Sequence, residues 1–444
     1  MKKIVISLSL AASLSLANTS DNLQQQITLL KQEIAQMKQD NQEQSEALIE
    51  EVGSVKESLF TPVDSYESIS SLGVAASKVY HSKSAVSIGG YGEYKYKKYT
   101  NFKNYESNTA NETRRKSEFN IVRFVPYIGF KFNDWIVMNT EIEFEDGGAR
   151  SNDTLNYKYA IIEFSYLDFM FDPAYSLRVG HILVPMGMIN LNHEPVAYLT
   201  TERPLVETFI IPSTWHTNGA LMHGKIENFE YYGGIITSPD AGAFIEGRFI
   251  QQGRLGARQF TDDISFVGRG QYAMGDGLDF GGSFCYGSST VLKESRPGVS
   301  TGESGDASVK ITMTEVHASY RNYGFDIKAL AAYGSLDGDV NALGDGTISS
   351  AVNGQYLNIG YNVLHSMSTS HQLFGVLDFE RLDMDASSDT LYPDNNRFNE
   401  YSLGMAYFPD PKVVIKADYA IKDYATDAKL ADESAFIVQA GFIF

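Results

Sequence analysis

The chain has 444 residues and carries 55 acidic against 36 basic side chains, a formal net charge of −19. That balance argues against a nucleic-acid partner, and a lone cysteine, Cys285, excludes an internal disulfide. Tyr (27), Phe (26) and Gly (38) are abundant, which suits a membrane barrel, while no later segment reaches the roughly 18 uninterrupted apolar residues of a helical span.

Lys2 and Lys3, an apolar stretch over 4–16 broken only by serines, and the small-x-small site Ser15-Leu16-Ala17 read as a signal peptide over 1–17. The protein is therefore expected to be exported. Over 18–60 the apolar positions switch to a 4-3 spacing. Ile27, Ile34, Asn41 and Leu48 fall at one core position, and Leu23, Leu30, Met37 and Gln44 at the other. This is a coiled-coil seam, in which Asn41 fixes register at a cost in stability. Such a seam implies an oligomer. Pro62 and a Ser-rich run over 65–71 read as part of a linker covering 61–83.

From about residue 84 the period becomes two. Val413, Ile415, Ala417, Tyr419 and Ile421 alternate with Val414, Lys416, Asp418, Ala420 and Lys422. Candidate strands lie at 85–97, 117–132, 134–146, 156–169, 175–183, 217–226, 229–238, 263–274, 277–287, 312–322, 324–334, 354–363, 371–382, 398–408, 412–423 and 432–444. Each has about the 9–11 residues a tilted membrane strand needs, or more. Short connections alternate with long ones, as periplasmic turns alternate with external loops in a barrel. The fold expected is all-β: a transmembrane antiparallel barrel of about 16 strands over 84–444, preceded by the short helical coiled coil. An even count puts both barrel ends in the periplasm.

The long connection 184–216 carries four prolines and is apolar for an external loop. Folded inward it would narrow the lumen rather than expose an apolar tip to water. Its expected constriction residues are His193, Glu202, Arg203 and Glu207. Strand alternation gives lumen-side cations at Arg123, Lys131, Arg178, Arg269, Arg321, Lys328 and Lys416. It gives carboxylates at Glu141, Glu143, Glu145, Glu163, Glu315, Asp326, Asp378, Glu380 and Asp418. For any single charge, a paired structural role outweighs solute binding.

The last strand places Phe436, Val438, Ala440 and Phe442 on one face and ends on Phe444. It resembles the terminal strand of bacterial outer-membrane barrels, which implies that Phe444 is an assembly signal read by the barrel assembly machinery. The segment Arg178-x-Gly180-x-x-x-x-Pro185-x-Gly187 resembles the matching segment of the phosphate-selective porin O/P family. That resemblance covers roughly 85–444. It implies a homotrimeric outer-membrane channel whose third loop folds into the pore. The family's phosphate preference rests on rows of lumen Arg and Lys, and this sequence shows no such ladder.

Other chemistry is weak. Gly298-Val-Ser-Thr-Gly302 matches a nucleophile elbow but lies in a Gly/Ser-rich stretch without the strand and helix the motif needs. Asp337-Gly-Asp339-Val-Asn341 opens like a calcium loop, yet Ala342 stands where Gly is required. No zinc spacing and no phosphate-binding Gly motif occurs. The expectation is an outer-membrane porin, not an enzyme, without cofactor or metal. It passes small hydrophilic solutes or ions, is bedded in outer-membrane lipid and lipopolysaccharide, and holds its coiled coil in the periplasm. The alternative is a plugged barrel with a surface-binding or structural role.

Overall fold

In the computed structural model the described residues are 20–59, 68–101, 116–148, 160–254, 256, 262–291, 307–387, 396–425 and 432–444. The expected signal peptide over 1–17 and the elbow-like motif at 298–302 lie outside them. The chain divides into two compact units, Met1–Phe60 and Thr61–Phe444.

In the first unit, Ser20–Leu59 is one continuous helix, α1. Polar side chains support it along its own length: Gln36, Gln39 and Gln42 donate to Asp40, Glu43 and Glu46, each four residues on. The seam residues Ile27, Leu30, Ile34, Met37 and Leu48 are all exposed.

The second unit is a closed antiparallel barrel of sixteen strands. They are β1 (Val86–Asn101), β2 (Glu118–Lys131), β3 (Ile136–Glu145), β4 (Ala160–Asp172), β5 (Tyr175–Leu183), β6 (His216–Ile226), β7 (Phe229–Thr237) and β8 (Ile264–Gly275), followed by β9 (Leu278–Val291), β10 (Ala307–Asn322), β11 (Phe325–Gly338), β12 (Ala351–Asn362), β13 (Gln372–Asp383), β14 (Arg397–Asp410), β15 (Val413–Tyr424) and β16 (Glu433–Ile443). Every strand pairs with its sequence neighbours, and β1 pairs with β16, so no edge is left open. Backbone bonds between Gly90 and Phe444, running both ways, extend that closure, and the Phe444 ring stacks on Phe124.

The outer face is apolar and exposed, with Ile88, Phe124, Ile128, Phe284, Leu377, Leu403 and Ile415 along it. Rings gather near the short turns, where Trp135 packs on Phe169 and Phe171, and Phe171 on Tyr175. This is the outward apolar band and aromatic girdle of a barrel built for lipid. The inner face carries the charged and small residues, and the core lies inside the barrel.

Residues 68–83 do not behave as a linker. Leu72, Ala75, Ala76, Val79 and Tyr80 are buried, and 78–81 form one helical turn, α2. The segment packs within the barrel against β1 to β8. The reason is legible afterwards: small residues allow close approach, and a Cβ at Gly73 would fall on the Glu194 carboxylate.

Candidate functional site

Two segments meet inside the barrel, and wall charges hold both by their backbones. For 68–83, Lys131 donates to the carbonyls of Tyr80 (2.8 Å) and Ser82 (2.7 Å), and Asn139 donates to that of Ala76 (2.8 Å). Tyr80 donates to Asp168 at 2.7 Å, and Arg178 pairs with the same carboxylate at 2.8 Å while lying over the Tyr166 ring. Asp168 also meets His223 (2.8 Å), whose other ring nitrogen bonds Ser70 (3.0 Å). Arg269 donates to Ser71 at 3.1 Å.

The stretch 184–216 crosses the interior and touches nearly every part of the wall. Lys328 donates to Ala197 O (2.7 Å) and Lys416 to Thr200 O (3.0 Å), with the Lys416 ammonium over the Tyr198 ring. Glu380 accepts from the amides of Leu205 and Val206, which open a short helix, α3 (Leu205–Phe209). Glu207 folds back within the stretch, accepting from the amides of Met188 and Ile189, and also takes a bond from Tyr356. Gly187, at φ 70°, makes room for that carboxylate. Glu194 ties the two segments together by accepting from Ala75 and Ala76.

Of the expected site residues, Glu207 and His193 are buried in packing. Lys131, Arg178, Arg269 and Lys416 are occupied by partners, and Arg321 lies out at the short-turn end, 71% exposed and paired with Asp326. Arg123 bridges Glu143 (3.2 Å) and Glu93 (3.4 Å). Glu202 and Arg203 keep partial exposure. Glu202 pairs with Lys95 at 2.6 Å and reaches Lys97 at 3.6 Å. Burial alone would raise its pKa, but the two lysines outweigh burial and hold it down to about 2. Arg203 donates to His193 O (3.1 Å), and its buried Nε has no hydrogen-bond partner.

Alternation alone did not reveal the grouping of His193 with Glu141 (3.2 Å) and Glu163 (3.4 Å). Burial opposes a charge on His193, but Glu141 beside it dominates and lifts its pKa to about 10. Glu163 reaches the interior through a register shift in which Glu141 pairs with Phe164 and Ile142 with Ile162. The extra residue turns its side chain inward. Only the partners' shared inward phase on neighbouring strands gives a sequence signal for this group.

On the other side, a cavity of about 590 Å³ lies against β10 to β16. Val74, Val196, Leu199, Asp326, Phe374 and Lys412 are among its lining residues.

No family model matches the chain. Among solved structures, the outer membrane channel DcaP of Acinetobacter baumannii aligns at a TM-score of 0.50 and 14% identity, covering 81% of this chain and 97% of that one. Pseudomonas putida OprB aligns at 0.51 and 8% identity, covering 80% and 93%. Both likenesses concern the fold, which is that of porin-type outer-membrane barrels. In sequence, 387 residues are 31% identical to a protein of Aquifex aeolicus (strain VF5) described as uncharacterized, covering 81% of each chain. The chain belongs to the same family as that Aquifex aeolicus protein.

Proposed function

We propose that this protein is an outer-membrane porin that lets small hydrophilic solutes or ions diffuse passively, without catalysis. One observation carries the reading: a closed sixteen-stranded barrel turns its apolar side chains outward and its charges inward, the sense required for a water-filled lumen in lipid. The fold likeness to an outer membrane channel supports it. On this reading residues 1–17 direct export, Phe444 is recognised during barrel assembly, and lipid with lipopolysaccharide surrounds the outer face. The exposed seam of α1 closes a homotrimeric coiled coil in the periplasm.

Selectivity on this reading is weak and set by few groups, because most wall cations hold backbone or carboxylates. Arg203, with Glu202, is the group we assign to it. The family resemblance would bring a phosphate preference, but an Arg row free to strip water from an anion is not seen among the described residues. The second reading, a plugged barrel with a surface role, draws on residues 68–83 inside the interior.

Planar-bilayer recording of the purified protein separates the two. Steady conductance is expected, with Arg203→Glu moving the reversal potential toward cations. A protein that never opens would overturn the porin reading, and an unchanged reversal potential would remove Arg203 from selectivity.

A further inference from the structure

We propose that Glu141, Glu163 and His193 form a binding site for one divalent transition-metal cation of the zinc type. The donor atoms of the three lie within 4.8 Å of one another, and all three residues are buried. His193 Nε2 stands 3.2 Å from Glu141 Oε1 and 3.4 Å from Glu163 Oε2. A tetrahedral ion with Zn–N and Zn–O bonds of about 2.0–2.1 Å separates its ligands by about 3.3 Å. The two spacings from His193 Nε2 match that separation.

The surroundings fit as well. His193 Nδ1 lies 3.1 Å from Asn190 O, so the ring donates there and turns Nε2 toward the two carboxylates. That is how a metal-binding imidazole is fixed in tautomer and orientation. Thr214 donates to Glu163 Oε1 at 2.5 Å, orienting the second carboxylate. The remaining oxygen of Glu141, Oε2, is buried without a hydrogen-bond partner. In the metal-free chain the His193 imidazolium pairs with the two carboxylates; a divalent cation binds by displacing protons from this group, after which two carboxylates and a neutral imidazole offset its charge. Nearby ionisable groups have partners of their own: Arg123 is engaged by Glu143 and Glu93, and His216 Nδ1 is engaged by His181 at 2.7 Å. The inward-turned Glu163 owes its position to the β-bulge described above, and bulges re-aim side chains at sites of function.

The test uses the full chain in detergent, stripped with a chelator, dialysed, and titrated with Zn²⁺ against a chromophoric competitor. One tightly held zinc per chain is expected, and Co²⁺ in its place should give the visible bands of a tetrahedral site. Glu141→Gln and His193→Gln should abolish binding, and Thr214→Val should weaken it by about 10–100-fold. Resistance of the folded barrel to unfolding in unheated SDS identifies variants that fold. If His193→Gln does not, the near-isosteric Glu141→Gln and Thr214→Val carry the test. Absence of zinc from the folded wild type, or wild-type affinity in folded Glu141→Gln, would overturn the site. The readout is binding, so a failure here and a failure of the channel reading are told apart.

Discussion

The two halves of the barrel interior are built differently. Against β1 to β8 the space is filled by residues 68–83, and the buried core there runs without a break from Leu72 through Tyr80 to Tyr166 and Leu221. Against β10 to β16 that core continues through Ile311, Leu330, Val352 and Leu382, and Lys328, Glu380 and Lys416 grip the 184–216 stretch, while a separate small cluster of Leu199, Phe374, Val376, Ala406, Phe408 and Val414 borders the cavity. The same strand pattern makes both walls, so the strands do not decide where the cavity is left. The inserted backbone decides it, together with the wall groups that grip it. A barrel of this kind sets its free cross-section by where it places chain, and the wall charges that meet that chain become fastenings.

The largest effect expected from this difference concerns Arg178. It is 2% exposed and faces an Asp168 that is 0% exposed. Arg178→Ala leaves that carboxylate buried without its cation, which costs about 3–5 kcal/mol. Urea unfolding of the detergent-solubilised protein should show the loss, and recordings should show larger and noisier conductance as 68–83 loosens. Arg321→Ala beside the cavity removes an exposed cation and leaves Asp326 with Lys328 at 3.8 Å, so it should change stability by about 1 kcal/mol or less. Equal losses at the two sites would erase the distinction between the halves.

A smaller effect tests which half solutes use. Leu199→Trp fills part of the cavity and should lower single-channel conductance, on the order of twofold if that space is the route, since pore width sets conduction. Unaltered conductance in a folded variant would move the route elsewhere.

The smallest concerns pH. The folded pKa of Glu202 is held near 2, below the ordinary carboxylate value of 4.5, by Lys95 and Lys97. A depressed pKa stabilises the folded state above the unfolded value, and that contribution is lost as pH falls through the folded one. The tether between β1 and the 184–216 stretch should therefore hold at pH 5 and weaken from about pH 4.5 toward 2. Open-channel noise should rise over that window in the wild type and not in Lys95→Met/Lys97→Met, whose tether is already cut.

Much of this was legible in the sequence. Period-two alternation located all sixteen strands, because lipid on one side and a polar interior on the other impose opposite chemistry on successive residues. Ends were less sharp. β10 begins at Ala307 and not near 312, and β11 runs on to Gly338, where Asp339 accepts from the Ser308 amide and prolongs the pairing. The bulges near Val122 and Glu163 were not legible, since one extra residue shifts phase without changing composition. Residues 68–83 misled by their serines and small residues. Leu72, Val74, Val79 and Tyr80 were the apolar signal that the stretch needed cover. At the site, alternation showed which charges point inward but not which meet, because partners such as Asp326 and Lys328 are local while Glu141 and His193 are 52 residues apart.

The grip on the inserted chain has an evolutionary consequence. From the wall, Lys131, Asn139, Lys328 and Lys416 hold carbonyls, while Glu380 holds amides. Every residue type presents a carbonyl, and all but proline an amide. The clamps thus recognise the path of the inserted segments and remain indifferent to many of their side chains. Relatives that keep these clamps can let the clamped stretches drift in sequence and retain the same interior shape, so that permeation properties diversify by substitution without redesign of the wall.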